Sequence, residues 1–225
     1  MKNRINIAID GPAGAGKSTV AKMVAEQLSF LYIDTGAMYR TLAYAALKNQ
    51  VDGNDGAALK ELLDQMKIQL VNEKEGTKVL LNDQDITMDI RTAEVNKQVP
   101  LVASHEAVRL EMVERQRVLA NEDNSILDGR DIGTHVLPDA EVKVFLTASV
   151  DVRAERRHEE QLKKGMLSDL EELKKEIAKR DELDSTRAVA PLRKADDAIE
   201  IDTTSLTIPE VVSAIIDLVK KPVSR

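Results

Sequence analysis

The chain has 225 residues, a formal net charge of −7, 2% aromatic residues and no cysteine. This length suits one α/β domain with a full core, and the lack of cysteine excludes disulfides, zinc–thiolate sites and thiol catalysis. The negative charge gives no general attraction for nucleic acid or anionic membranes. With so few aromatic residues, the chain also offers no platform on which single-stranded bases could stack. Because no apolar run reaches the length of a signal peptide or membrane span, we expect a cytoplasmic protein with no nucleic-acid or membrane partner.

The first motif lies in the segment INIAIDGPAGAGKSTVAK at residues 5–22. An apolar strand leads into the Gly-rich pattern Gly11-x-x-x-x-Gly16-Lys17-Ser18, and a helix is predicted from Lys17 to Leu28. Glycines let successive backbone N–H groups face inward, which makes a nest for phosphate oxygens at a helix N-terminus. The motif therefore predicts a site for a nucleoside triphosphate, with Lys17 on the β- and γ-phosphates and the Ser18 hydroxyl on Mg²⁺.

Strands and helices alternate over most of the chain. The runs INIAI, FLYI, SILD, VKVFL and AIEID predict core strands, and the helices between them favour parallel pairing with right-handed crossovers. The segment from about 66 to 89 alternates and turns instead, which is typical of a small antiparallel insert. We therefore predict an α/β fold in which helices flank a parallel central sheet.

Several helix ends carry recognisable signals. Helices are predicted at residues 38–49, 55–66 and 104–120. The spacing Ser168-x-x-Glu171 predicts a capping box for a charged helix that ends near Arg180, and Thr207-x-x-Glu210 predicts the start of the last helix. The whole chain is predicted to be one domain, with a core at about 1–65, 90–148 and 191–225, a β insert at about 66–89, and a lid with charged helices at about 149–190.

Three classes of protein use such a phosphate-binding loop. A GTPase switch needs Asn-Lys-x-Asp, but the nearest match, NKQV at 96–99, ends in valine, and no glycine has an aspartate three residues before it. A remodelling ATPase needs arginines from neighbouring subunits. The sequence of one chain does not exclude this class, but nothing in it requires this class either. A small-molecule kinase needs an acceptor pocket rich in fixed charge, and the remaining motifs offer one.

The segment ILDGRDIGTHVLPDA, residues 126–140, carries three charges directly after a predicted strand. The carboxyl ends of strands are where α/β sheets bind ligands. There Asp128 is placed to hold Mg²⁺ or its water, Arg130 to bind a phosphate and Asp131 to accept a hydrogen bond from an amino group. The alternative is an ordinary polar loop with a surface ion pair.

Two further segments combine carboxylates with guanidinium groups. YIDTGAMYR, residues 32–40, follows a strand with Asp34 and Thr35 and places Arg40 a helical turn later, although Asp34 or Thr35 would serve equally as a helix cap. KRDELDSTRAVAP, residues 179–191, suits a ribose hydroxyl and a phosphate together, through Arg180, Asp184 and Arg187.

Arg153, Arg156 and Arg157 have the spacing of one helical face. Neighbouring glutamates could neutralise them on a solvated surface. Alternatively, they belong to a lid that closes over the transferring phosphoryl group.

Together the segments GPAGAGKST, DTGAMYR, DGRDIGT, KRDELDSTRAVAPL and IDTTSLT resemble the bacterial cytidylate kinase family of nucleoside monophosphate kinases. The resemblance runs over essentially the whole chain and includes the β insert. It implies a P-loop kinase fold and ATP-dependent, Mg²⁺-assisted phosphorylation of CMP and dCMP. It also implies that the partners are the small nucleotides ATP, CMP and dCMP, and we expect a monomer.

The resemblance also assigns roles to individual residues. ATP would be held by Gly11, Pro12, Ala13, Gly14, Ala15, Gly16, Lys17, Ser18 and Thr19. The acceptor would be held by Thr35, by Arg109 and Asp131 on the cytosine, by Arg40 and Arg130 on the 5′-phosphate, by Arg180 and Asp184 on the sugar, and by Arg187 on a nearby phosphate. The catalytic groups would be Lys17, Arg130, Arg153 and Arg157, and the metal ligands Ser18 and Asp128.

One position departs from the family pattern. Pro100, in QVPLVAS, stands where the family commonly carries a serine near the base, and proline has no hydroxyl. We expect base discrimination to rest on Arg109 and Asp131 instead. Two other functions stay open: a kinase for a hydroxyl acceptor, with Asp34 or Asp128 as the base, and a non-catalytic ATP-binding module.

Overall fold

The computed structural model describes residues 4–73, 76–163 and 165–220. The strands in these residues are β1 (Asn6–Asp10), β2 (Leu31–Asp34), β3 (Ile68–Glu73), β4 (Gly76–Leu81), β5 (Gln84–Asp85), β6 (Ser125–Gly129), β7 (Val142–Thr147) and β8 (Ile199–Asp202). The α-helices are α1 (Lys17–Leu28), α2 (Thr35–Lys48), α3 (Gly56–Asp64), α4 (Ala93–Val102), α5 (Glu106–Ala120), α6 (Val150–Lys163), α7 (Leu170–Thr186) and α8 (Ile208–Lys220). Both ends of the predicted domain (1–3 and 221–225), residues 74–75 of the insert and residue 164 of the lid lie outside the described residues.

The central sheet has the strand order β2-β6-β1-β7-β8, and all of its pairs are parallel. Apolar side chains cover both of its faces. One core lies against α2, α3, α4 and α5, and the other is formed with α1 and α8. The predicted parallel sheet flanked by helices is therefore confirmed. Its consequence for function is that β1 and β6 are neighbours, so the segments that follow them meet at one edge of the sheet.

The insert is a three-stranded antiparallel sheet in the order β3-β4-β5, as the alternation predicts. Val79, Ile86 and Ile90 pack against Ala37 in a separate small core. The side-chain amide of Asn72 donates to the backbone carbonyl of Tyr32 at 2.9 Å, which links the insert to the edge of the central sheet. The insert thus has its own apolar support beside α2.

Helix α4 is absent from the predictions. Its interior contains Pro100, which cannot donate a backbone hydrogen bond and normally argues against a helix. The helix forms because Thr92 caps its N-terminus by accepting from the Val95 N–H, and because Val95, Val99 and Val102 are buried. Tertiary packing here outweighs local propensity.

The predicted start of α7 is wrong by one residue and its predicted end is six residues too early. Asp169, and not Ser168, accepts from the Glu172 N–H at 3.0 Å, while the Ser168 hydroxyl lies 2.8 Å from Nδ1 of His158. The helix continues to Thr186, and it packs on α6 through a small apolar core that contains Leu173. The capping signal of α8 is confirmed, since the backbone N–H of Thr207 donates to the carboxylate three residues later at 2.8 Å.

None of the helices in the described ranges is both long and apolar enough to cross a membrane.

Candidate active site

The phosphate-binding loop runs from the end of β1 to the start of α1. Gly11 has a φ of 145°, and a Cβ there would lie 2.0 Å from the carbonyl oxygen of Leu146, so no other residue fits. Gly14 has a φ of 79° and packs against the side chain of Arg153. Gly16 precedes α1, and no side chain caps that helix. The first N–H groups of α1 are therefore available to an anion, as a phosphate-binding loop requires.

Lys17 is buried and 5% exposed, and its Nζ donates to the carbonyl of Pro12 at 2.7 Å. Burial, and secondarily the nearby Arg130, lowers the pKa of the Lys17 amine well below its usual range. A buried amine with one neutral hydrogen-bond acceptor gains much from a phosphate oxygen, because an anion favours its charged form.

The two predicted metal ligands meet although they are 110 residues apart in the chain. The Ser18 hydroxyl donates to one oxygen of Asp128 at 2.7 Å, and the Tyr32 hydroxyl donates to the other oxygen at 2.7 Å. Burial raises the pKa of Asp128, and the Asp34 carboxylate adds to that rise. In the described part of the chain, no group of three or more His, Cys, Asp or Glu side chains is arranged to hold a metal ion. One hydroxyl and one carboxylate fit Mg²⁺, which takes few protein ligands and shares the oxygens of substrate phosphates.

A cavity of about 210 Å³ joins this loop to the predicted acceptor residues. Predicted site residues on its wall are Ala13, Gly14, Lys17, Ser18, Thr35, Arg40, Arg109, Asp128, Arg130, Asp131, Arg180, Asp184 and Arg187. Residues from five separate stretches of sequence therefore converge on one space. Pro100 also lies on the wall.

The cavity carries more positive than negative charge. Its six basic side chains are Lys17, Arg40, Arg109, Arg130, Arg180 and Arg187, and its four acidic ones are Asp34, Asp128, Asp131 and Asp184. Buried Nε atoms of Arg40, Arg109 and Arg180 have no hydrogen-bond partner within the described ranges. Since buried polar groups are almost always satisfied, these donors point to an anionic ligand that completes the site.

Ion pairs join the charged side chains on the cavity wall, and Arg187 lies within 3.9 Å of Asp184 as well as near Asp131. Arg109 donates to Asp131 at 2.5 Å with both side chains almost fully buried, and Arg187 lies 3.5 Å from the other oxygen of Asp131. Arg130 donates to Asp184 at 2.9 Å. Burial alone would raise the pKa of Asp184, but the neighbouring arginines lower it below its usual value. Burial together with Arg130 lowers the pKa of Arg180 to about 10, so this guanidinium would be stabilised by a phosphate.

Thr35 and Asp34 are engaged in local structure at the start of α2. Asp34 caps the helix by accepting from the Ala37 N–H at 2.8 Å, and the same carboxylate pairs with Arg40 at 3.0 Å. The Thr35 hydroxyl donates to the backbone carbonyl of Asp128 at 2.6 Å. The capping alternative is therefore confirmed for Asp34, and Arg40 is held beside the cavity by the same group.

The three arginines of α6 do not act as one surface. Arg153 is 4% exposed, donates to the Ala13 carbonyl at 3.1 Å and forms a two-pronged ion pair with Asp181 of α7. Arg156 donates to Thr203, and Arg157 lies 3.8 Å from Glu176. Neither Arg153 nor Arg157 is on the wall of the small cavity. Arg157 instead lines a groove of about 820 Å³, which lies between α4 and the α6–α7 hairpin and adjoins the small cavity.

Four residues at the site were missed by sequence reasoning: Asp10, Tyr32, Tyr39 and Asp181. The ring of Tyr39 lies 5.7 Å below the Arg109 guanidinium, which is a cation–π distance. Asp10 is buried and accepts from two backbone N–H groups, at Ile132 and Gly133. Only the position of Asp10, as the polar end of an apolar strand directly before the loop, gave a signal in the sequence.

The chain is similar over nearly its whole length to proteins of one known family. The family model described as "Cytidylate kinase" matches residues 7–221. The chain is 63% identical over 221 residues to "Cytidylate kinase" from Shouchella clausii, covering 98% of each protein, and 62% identical over 220 residues to "Cytidylate kinase" from Halalkalibacterium halodurans, covering 98% of this chain and 99% of the relative. Among solved structures, an uncharacterized protein from Eubacterium ventriosum ATCC 27560 has a TM-score of 0.50 at 17% identity over 96% of this chain and 97% of that one, which speaks for the fold alone. The family match and the two relatives together establish that the chain belongs to the cytidylate kinase family.

Proposed function

We propose that this protein transfers the γ-phosphoryl group of ATP to CMP and dCMP, giving CDP and dCDP, with Mg²⁺ as cofactor. The observation that carries the proposal is the shared cavity: the lysine of the triphosphate loop and a cluster of incompletely satisfied arginines face the same space. Two polyanions must meet there. Membership of the cytidylate kinase family names the acceptor base.

The acceptor needs no general base. The second pKa of a phosphate monoester is about 6, so its attacking oxygen is already ionised at neutral pH. Both carboxylates that could have served a hydroxyl acceptor are engaged, Asp34 by Arg40 and a helix N–H and Asp128 by Ser18 and Tyr32. This favours a phosphate over a hydroxyl as the acceptor.

The task of the protein is then to position the two nucleotides in line and to offset their charge. We assign Lys17 to the terminal phosphates of ATP, and Arg40 and Arg130 to the 5′-phosphate of the acceptor. Mg²⁺, held through Ser18 and Asp128, would supply further positive charge beside the triphosphate. These fixed charges stabilise the spread-out negative charge of the transition state and need no rearrangement to do so.

For the other half of the acceptor we assign Arg109 and Asp131 to the cytosine and Arg180 and Asp184 to the sugar, with Arg187 on a nearby phosphate. Asp131 is suited to the exocyclic amino group of cytosine because its carboxylate accepts hydrogen bonds. Uracil has a carbonyl oxygen at that position, and the carboxylate would repel it. Pro100 lies on the same wall without a hydroxyl or an N–H. Base reading therefore falls to the arginine–aspartate pair.

We propose catalytic roles for both Arg153 and Arg157, although in the described part of the structure only Arg153 contacts the phosphate-binding loop. Arg153 already contacts the loop through the Ala13 carbonyl, and we propose that it fixes the loop around the β- and γ-phosphates. Arg157 lines the adjoining groove, and we propose that closure of the α6–α7 hairpin brings it to the transferring group. Closure would also exclude water, which otherwise competes for the phosphoryl group. We further propose that the protein works as a monomer in the cytoplasm.

The deciding experiment measures coupled ADP release with ATP–Mg²⁺, offering CMP, dCMP, UMP, AMP, GMP or no acceptor in parallel. Fast turnover with CMP and dCMP is expected. If only another nucleotide gives turnover, the proposed phosphoryl transfer stands, but the assignment of the acceptor base is wrong. If no nucleotide gives release, the proposal is wrong, and an ATP-binding module or a hydroxyl acceptor takes its place.

A further inference from the structure

Asp10 stands outside every role assigned above, yet it joins the two halves of the site. It is the last residue of β1, directly before the phosphate-binding loop, and it is 4% exposed. One carboxylate oxygen accepts from the Ile132 N–H at 2.8 Å, and the other accepts from the Gly133 N–H at 2.8 Å. The two donors follow Asp131 directly in the chain.

These two N–H groups belong to a short helical turn. Residues Ile132–Val136 form one turn of π-helix, in which the N–H groups of His135 and Val136 bond back to the Asp131 carbonyl. The first N–H groups of any helix have no partner within it, and the side chain at the N-cap normally satisfies one of them, at the second or third residue of the helix. Asp131 holds that N-cap position but makes no capping bond.

The Asp131 carboxylate is instead committed to the cavity. It receives Arg109 at 2.5 Å and lies 3.5 Å from Arg187. Aspartate is among the strongest N-cap residues, so its carboxylate has an alternative position on the turn that follows it. Asp10 already holds the Gly133 N–H, which is one of the two N–H groups that an N-cap side chain normally reaches, so this bond is closed to Asp131.

We propose that Asp10 is a positioning residue for nucleobase recognition: by capping the turn at 132–136 in place of Asp131, it keeps the Asp131 carboxylate on Arg109 and available to the base. The inference rests on the proposed function, since it concerns how the same site selects CMP. It also ties the start of the triphosphate loop to the base-reading residue through one carboxylate.

The test compares Asp10→Asn with Asp55→Asn at pH 8. An amide offers one oxygen where Asp10 uses two, so a donor would face one of the two N–H groups. Asp55 is the matched control because it also accepts two backbone N–H groups, from Ala57 and Ala58, but as an ordinary cap of α3 at which asparagine serves equally well. Asp10→Ser is the second variant if Asp10→Asn does not fold.

For Asp10→Asn we expect the KM for CMP to rise about tenfold, the worth of roughly one charged hydrogen bond, and the preference for CMP over UMP to fall. The KM for ATP should change less than threefold, and Asp55→Asn should match the wild type. In an Asp131→Ala background the Asp10 change should add almost nothing to the KM for CMP, because both act through the same carboxylate.

The inference is overturned if Asp10→Asn, or Asp10→Ser in its place, lowers only thermal stability or kcat and leaves the KM for CMP and the CMP preference unchanged. Additive effects of Asp10→Asn and Asp131→Ala would overturn it equally. Failure of the proposed function is distinguishable from both, because the wild-type protein would then show no turnover with CMP.

Discussion

At the scale of single residues, Lys17 is the group on which the chemistry depends most directly. Its amine is buried beside the loop, and among the described residues its hydrogen-bond partner is the Pro12 carbonyl. We expect Lys17→Ala to lower kcat by at least about 10²–10³-fold, the range for loss of one fixed group that stabilises transition-state charge, while the fold stays intact. Steady-state assays with circular dichroism test this, and Lys60→Ala, on the exposed side of α3, is the control. Near-normal activity would refute the assigned phosphate site.

Asp131 carries the expected preference for cytosine. Removing its carboxylate takes away the acceptor for the base and leaves the buried Arg109 without its ion-pair partner. We expect Asp131→Ala to raise the KM for CMP by about 10- to 100-fold, the value of one charged hydrogen bond, and to change the KM for ATP much less. Separate titrations of the two substrates measure this. An equal rise in both KM values would contradict a base-reading role.

Asp10 gives the molecule a predictable dependence of stability on pH. Burial raises the pKa of this carboxyl from 3.8 to about 6, even though the Gly133 and Ile132 N–H groups oppose the rise. Because the folded state binds this proton more tightly than the unfolded state, the contribution is fully present below about pH 4 and is lost as pH rises through about 6.

Relative to Asp10→Asn, the free energy of unfolding of the wild type should therefore fall by roughly 3 kcal/mol between pH 4 and pH 7. Urea unfolding of both proteins across that range measures the difference. Two parallel stability curves would show that the Asp10 carboxyl does not titrate in this window.

At the scale of secondary-structure elements, α6 and α7 form a hairpin that is tied to the phosphate-binding loop. The tie is Arg153, which joins Asp181 of α7 to the Ala13 carbonyl of the loop. We expect Asp181→Asn to lower the free energy of unfolding by about 2–3 kcal/mol, because it leaves a buried guanidinium without a carboxylate. Glu176→Gln is the control, since its pair with Arg157 spans 3.8 Å and both side chains are partly exposed.

Chemical denaturation of the two variants measures both effects, and the control should change by less than about 0.5 kcal/mol. Equal losses would mean that the Arg153–Asp181 pair is no more than a surface contact.

At the scale of the whole molecule, the groove between α4 and the α6–α7 hairpin is the space that closure would remove. It holds about 820 Å³ and runs into the acceptor cavity through Pro100, Arg180 and Asp184. Because the chain has no cysteine, dyes can be attached at Lys97→Cys on α4 and Lys179→Cys on α7 without background labelling.

Energy transfer between these dyes should increase when ATP–Mg²⁺ and CMP are both bound, since the groove narrows. Labelling at Lys97→Cys and Lys48→Cys, at the end of α2, provides the control pair. Unchanged transfer with both nucleotides bound would show that the groove stays open during turnover.

The sequence by itself determined what is local in this protein. The Gly-rich loop, the alternation of strands and helices, the antiparallel insert and the charges directly after strands are each written in a short run of residues. A glycine needed at positive φ, or a strand buried on both faces, depends on neighbours only a few positions away. Family motifs also predicted the residues that meet at the cavity.

Only the tertiary structure decided the contacts between distant segments. The strand order places β6 beside β1, and this brings Asp128 to Ser18 and the N–H groups of Ile132 and Gly133 to Asp10. The tertiary structure also gives the three arginines of α6 different partners. Packing of buried valines likewise forms α4 although Pro100 lies inside it. The physical reason is that ion pairs, buried pKa values and orphaned donors depend on which side chains share a low-dielectric space, and that is a property of the packed fold.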